Sequence, residues 1–179
     1  MVKEFIGDEE FSLDSFRLGR LIYNSKYIPT KIVGLWRWGA EVSFRIDEYY
    51  RFKGIKIPSY PLKTEHYDKE NALDDVELFG MESLKKVISK EDKILIVDEV
   101  FDTGKSINRV VKELEETTKE IKVATLYYKP EKRKVEIVPN YYLHKKEADK
   151  WLVWAGELEN LTLEEIKIKS QKLYEILTT

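Results

Sequence analysis

The sequence predicts an α/β fold built on a doubly wound, mostly parallel sheet with helices on both faces. Three observations carry that expectation. Ile94-Leu95-Ile96-Val97 is an unbroken apolar run of the kind shown by a strand buried on both faces. Strand-like apolar segments alternate along the chain with stretches whose apolar residues recur at helical spacing. Between the apolar run and the amphipathic stretch holding Ile107, Val110, Val111 and Leu114 stands Thr103-Gly104-Lys105-Ser106, a turn suited to joining strand to helix. The layering is Rossmann-like, and in such sheets polar ligands sit outside the carboxyl ends of the strands.

Taken in order, the elements follow from local signals. Ser12 or Asp14 as a cap starts a helix that reaches Asn24, with Phe16, Leu21 and Ile22 turned inward. Lys31 to Leu35 reads as a short buried strand, Trp36 to Gly39 as a loop, and about Ala40 to Phe52 as a helix. Ile55 to Tyr67 holds extended segments broken by Pro58 and Pro61, and Asp68 to Glu77 is polar and acidic, the composition of a loop. Met81 to Lys90 is amphipathic and leads into the strand at Ile94, whose following helix ends near Thr118. Ile121 to Tyr127 is a further apolar strand finishing at Lys129, Val135 to Leu143 gives turn and strand material, and Trp151 to Trp154 makes a short strand. The last segment, about 162 to 178, is read as one helix, with Thr162 and Glu165 spaced as a capping box and Ile166, Leu173, Ile176 and Leu177 as its apolar stripe.

With 179 residues the chain is expected to form one domain over 1–179. No cysteine is present, which excludes disulfides, thiolate nucleophiles and zinc-thiolate sites, and two histidines cannot build a histidine metal cluster. Any metal must then be held by oxygen. A net charge of −2 offers no basic field for nucleic acid, and no apolar run approaches the length of a membrane span, so a cytoplasmic protein is expected. Lys129-Pro130-Glu131-Lys132-Arg133-Lys134 is a local basic cluster expected to be a solvated loop. Richness in Lys and Glu, with Gln171 the single glutamine, hints at a thermophilic source.

The chemistry concentrates where the Ile94 strand ends. Asp98, Glu99 and Asp102 are carboxylates that accept hydrogen bonds from hydroxyls, and they precede a turn that can bind phosphate. Gly104 lets the backbone approach an anion, Thr103 and Ser106 add hydroxyl donors, and the following helix presents its positive end. Gly104-Lys105-Ser106 also matches the end of the Walker pattern, but that pattern needs a glycine where Glu99 stands.

The run from Ile94 to Ser106 resembles the signature of the type I phosphoribosyltransferases, and the chain as a whole is most similar to their microbial 6-oxopurine branch. The resemblance implies that Asp98 and Glu99 hold the ribose hydroxyls of phosphoribosyl pyrophosphate, while Asp102, Thr103, Gly104, Lys105 and Ser106 wrap its 5′-phosphate. It further implies that Asp102 handles a proton of the purine base. Arg37 and Gly39 match a pyrophosphate-binding loop, to which Trp38 would also belong; a small residue is usual at the Trp38 position. Lys129 resembles the lysine that reads the base carbonyl, Trp151 with Leu152 the base-stacking segment, and Glu157 the acidic residue near the metal, although Ala155-Gly156 replaces the usual Pro-Trp. The metal so implied is Mg²⁺, with Asp98 and Glu157 as its protein ligands, and the 60–80 region corresponds to a hood over the substrate. His66 in that region matches no histidine of the family and ranks below Asp102 as a base. The implied partners are phosphoribosyl pyrophosphate and a purine base, with assembly into a dimer or tetramer. Two alternatives stay open at this point: an adenine or pyrimidine phosphoribosyltransferase, and a non-catalytic sensor of phosphoribosyl pyrophosphate.

Overall fold

The structure, a computed structural model, describes residues 2–66, 76–118, 120–154 and 156–179. In chain order these form β1 (Val2–Phe5), α1 (Asp8–Asn24), β2 (Lys31–Trp36), α2 (Trp38–Phe52), β3 (Ser59–His66), β4 (Val76–Phe79), α3 (Met81–Lys85), β5 (Lys93–Phe101), α4 (Lys105–Glu115), β6 (Glu120–Tyr128), β7 (Tyr141–Lys145), β8 (Lys150–Val153), α5 (Leu163–Lys169) and α6 (Gln171–Thr178). They group into two compact units, Ser12–Ala148 and a terminal unit of Met1–Phe11 with Asp149–Thr179. Among the described residues no helix is long and apolar enough to cross a membrane.

The larger unit is organised by a six-stranded sheet in the order β4-β3-β2-β5-β6-β7, parallel except for β4. The mostly parallel α/β architecture is the one expected, and β4 is an addition, since Val76 and Glu77 had been assigned to a loop. The rest of that expected loop lies outside the described residues. Pro61 stands on β3 before the Lys63 to His66 stretch that β4 pairs, so its missing N–H interrupts no rung of the hairpin. Val33, Ile94, Ile96 and Val123 lie across adjacent strands and are buried against Ile107, Val110 and Leu114 of α4, the helical stripe read from the sequence. On β2, Gly34 admits α2: a methyl there would meet Ala40 Cα at 2.8 Å and collide with the Ser43 hydroxyl. Val42, Ile46 and Tyr50 of α2 are accordingly fully buried.

Several boundaries differ from expectation for physical reasons. Helix α1 begins at Asp8, and its inward face carries Phe11, Asp14, Ser15, Leu18 and Ile22, whereas Phe16 and Leu21 are exposed. Asp14 is no cap. It is buried and accepts hydrogen bonds from Arg17 (2.6 Å), with His144 Nε2 also 2.6 Å away. Strand β5 does not stop at Val97 but continues through both carboxylates, because β6 keeps pairing with it as far as Phe101↔Tyr128.

In the terminal unit, β1 and β8 form their own parallel pair, from Val2↔Lys150 to Phe5↔Val153. Trp151 therefore belongs to a separate two-stranded sheet. The Thr162–Glu165 capping box is present, and Lys3 ties it down with Nζ 2.8 Å from Glu165. The single helix expected at 162–178 is two helices, broken at Ser170, which is extended (φ −159°) and caps α6 through its hydroxyl. Its stripe divides accordingly: Ile166 is buried, while Ile176 and Leu177 are exposed.

The entrance to the central strands is fastened by Asp92, which accepts from Thr30 Oγ1 (2.6 Å), Lys31 Nζ (2.7 Å) and Ser89 N (2.7 Å). Burial pushes this carboxyl up, but the hydrogen bonds from Lys31, Thr30 and Ser89 outweigh it and hold the group well below the usual carboxylate range. A depressed folded-state pKa stabilises above the ordinary value near ~4 and is lost as pH falls through the folded value. Asp92→Ala is therefore expected to cost about 2–4 kcal/mol in denaturant unfolding at pH 7. The gap to the parent should narrow below about pH 4, and a gap independent of pH would contradict the charged network.

Candidate active site

A polar pocket of about 460 Å³ opens at the carboxyl ends of β2, β3 and β5, lined by Arg37, Thr64, Asp98, Glu99, Asp102, the 103–107 turn and Lys134. This is where an open α/β sheet is expected to bind its ligand. Every residue of the Asp98, Glu99 and Asp102–Ser106 set lies on its wall, and Arg37 is the member supplied from β2 and α2. Trp36 also lines the pocket, whereas Trp38 is the first residue of α2 and its side chain is half-buried outside that wall. The Trp36–Arg37 peptide bond is cis.

Asp98 and Glu99 stand next to each other on a hydrogen-bonded strand, and Glu99 N donates to Asp98 Oδ1 at 3.0 Å. Burial first, and then the charge of Glu99, pushes the Asp98 carboxyl well above its usual range. The α2 terminus comes down onto this pair through Gly39, where a Cβ would stand 2.8 Å from Asp98 Oδ1 and 2.7 Å from Val97 O. Only glycine allows that approach. The positive end of α2 is thereby brought to the Asp98 carboxyl.

Downstream, Gly104 is left-handed (φ +79°) and caps α4, so the turn leaves the strand and enters the helix within three residues. The amide groups of the first helical turn lack intrahelical partners, which suits them to an anion. A segment after β6 closes this turn from outside: Lys134 N donates to Thr103 O at 2.9 Å, and Val135 with Phe101 fills the space a Gly104 Cβ would need.

That same segment is exposed at Pro130, Glu131, Arg133 and Lys134, as a solvated loop requires, and departs from that expectation at Lys129 and Lys132. Lys129 is buried, with Nζ 3.6 Å from Asp102 Oδ2, and Lys132 approaches closer, at 2.9 Å. Lys134 lines the pocket, and Arg133 donates to the carbonyls of Val135 and Glu136. Lys132, Lys134 and Thr64 are site residues that sequence reasoning missed. The available signal was position, because a basic run directly after a strand must begin at the same sheet edge as Asp102.

In the terminal unit, Trp151 is 44% exposed on β8 and Leu152 is buried. Glu157 accepts from Trp154 N at 3.1 Å, and Lys169 donates to the carbonyls of Trp154 (2.7 Å) and Glu157 (2.6 Å), fixing the turn after β8. Among the described residues no three His, Cys, Asp or Glu side chains gather into a metal cage. The side chain of His66 lies outside the described residues.

A sequence profile of the phosphoribosyl transferase domain matches residues 47–160. The hypoxanthine-guanine phosphoribosyltransferase of Lactococcus lactis is 28% identical over 146 residues, covering 78% of this chain and 74% of that protein. Among solved structures, the purine phosphoribosyltransferase from Pyrococcus horikoshii superposes with a TM-score of 0.67 at 26% identity, over 90% of this chain and 99% of that one. A hypothetical protein from Neisseria gonorrhoeae with bound ppGpp shares the fold at a TM-score of 0.72 and 19% identity, over 96% and 97% of the two chains.

The turn's packing predicts its sensitivity. Gly104→Ala combines a strained positive φ with overlap of Phe101 and Val135 and should cost about 2–4 kcal/mol. Chemical denaturation measures it, and an unshifted midpoint would show that the 134–135 segment does not seal the turn.

Proposed function

Because the chain belongs to the phosphoribosyl transferase domain family, we propose that it is a purine-salvage enzyme that transfers ribose 5-phosphate from phosphoribosyl pyrophosphate to N9 of a 6-oxopurine. The observation that carries this reading is the buried Lys129 beside Asp102, next to a turn and an acidic pair suited to a sugar phosphate. An ammonium group donates hydrogen bonds and accepts none, so Lys129 suits a base carbonyl and disfavours the amino group of adenine. The 28% identical hypoxanthine-guanine relative supports the same substrate class.

In this reading the amides and hydroxyls of Thr103 to Ser106 hold the 5′-phosphate, while Asp98 and Glu99 accept from the ribose hydroxyls. Arg37 and the α2 terminus, with Trp38 in its first turn, receive the pyrophosphate. The bond from the anomeric carbon to the pyrophosphate oxygen breaks, the bond to N9 forms, and Asp102 accepts the proton that the base gives up. In the terminal unit Trp151 offers an exposed face for stacking, with Leu152 buried behind it in β8.

An oxygen-only donor set in a polar pocket fits Mg²⁺, which binds through one or two carboxylates plus phosphate oxygens and water. Asp98 is the proposed protein ligand. When bound, the cation offsets the negative charge that develops on the leaving pyrophosphate. We further propose cytoplasmic action as a homo-oligomer, a dimer or tetramer.

Pyrophosphate release measured with hypoxanthine, guanine, xanthine, adenine and orotate tests the assignment. Turnover with 6-oxopurines alone is expected. A preference for adenine or orotate overturns the base assignment, and tight binding of phosphoribosyl pyrophosphate without turnover on any base would mark a sensor. In the active enzyme, Asp102→Asn should lower kcat by about 10²–10⁴-fold and leave the KM for phosphoribosyl pyrophosphate within a few-fold. Equal losses in both would argue against proton transfer by Asp102.

A further inference from the structure

Asp102 is held asymmetrically. Its Oδ2 accepts from Lys132 at 2.9 Å and lies 3.6 Å from Lys129, whereas its Oδ1 is buried with no hydrogen-bond partner among the described residues. A buried carboxylate oxygen without a donor is costly, and such an atom marks a place where something else is expected to donate.

Lys129 and Lys132 differ in how they reach this carboxylate. Lys129 is the last residue before a single 3-10 turn, Pro130–Lys132, and is buried, with 5% of its side chain exposed. Lys132 closes that turn, Lys132 N donating to Lys129 O at 3.2 Å, and swings back over Asp102 with its side chain 30% exposed. The turn thus delivers a second ammonium to an oxygen that the buried one does not reach within hydrogen-bond distance.

We propose that Lys132 is a positioning residue that ties down Asp102 Oδ2 and so fixes the carboxylate that accepts the proton of the base. The inference rests on the 6-oxopurine reading above and deepens it: one lysine anchors the proton acceptor, the other reads the substrate. Lys132 acts only through Asp102, so its effect must vanish when Asp102 cannot be anchored as a carboxylate.

The test is a double-mutant cycle on the full chain with guanine or hypoxanthine. Lys132→Met and the near-isosteric Lys132→Gln should lower kcat/KM for the base at least about tenfold and leave the KM for phosphoribosyl pyrophosphate within twofold. Lys132→Arg, which keeps a donor cation, should recover most of the loss. In an Asp102→Asn background, Lys132→Gln should change kcat less than twofold. Full activity in Lys132→Gln, or an equal loss in both backgrounds, overturns the proposal while leaving the enzyme assignment intact. A parent enzyme silent on every 6-oxopurine overturns both.

Discussion

Two adjacent carboxylates on one strand set the terms for the rest of the site. Asp98 and Glu99 sit inside the β5 ladder, where β6 pairing continues past them to Phe101, so neither can swing away into solvent as a loop residue could. Burial and mutual repulsion make that arrangement unfavourable by itself, and the Asp98 carboxyl is accordingly pushed upward. Positive potential answers it. The α2 terminus approaches through Gly39, and α4 begins immediately beyond Gly104. A strand that carries negative charge to the mouth of a sheet, between two helix ends that carry positive charge, suits a ligand with hydroxyls at one end and phosphate at the other.

Around that centre the fold divides its labour by chemistry. In the proposed function, hydroxyl recognition falls to rigid strand carboxylates, anion recognition to backbone amides at helix starts, and base recognition to a lysine-bearing turn after β6. The last of these also has a mechanical role. Lys134 and Val135 close over Thr103 and Gly104, so the segment that supplies cations to Asp102 also holds the phosphate turn in shape. The Asp102 carboxylate and the 103–104 turn are therefore held by a few residues of one loop.

The contrast between what was legible and what was not follows sequence distance. The β5-turn-α4 unit is legible down to the Ile107, Val110, Val111 and Leu114 stripe, apart from the end of β5, because each signal in it is local: periodicity, a left-handed glycine, a polar turn. Within the basic run at 129–134 the contact of Lys132 is not legible, because charge alone suggests solvation and nothing local says that Asp102, about thirty residues earlier, waits at the same sheet edge. Helix α1 begins earlier than its local signals suggest and buries Ile22 but not Phe16 or Leu21, since a buried Asp14 that pairs with Arg17 and His144 contradicts the usual exclusion of charge from a helix core. The C-terminal helix was read as continuous because its capping box is a local signal, whereas its break at Ser170 depends on a second cap that the apolar stripe ran across.

By itself the sequence determined the α/β class, the family resemblance, and the strand, turn and helix that bring Asp98, Glu99 and Asp102–Ser106 to one pocket, since these depend on neighbouring residues. Tertiary structure alone decided that β1 pairs with β8 across almost the whole chain, that β4 adds an antiparallel edge, and that Lys132 rather than Lys129 is the nearer counter-ion of Asp102. Local conformational preferences are written in neighbouring residues. Strand pairing and ion pairing between distant segments are settled only when the chain closes on itself and desolvates the groups it brings together.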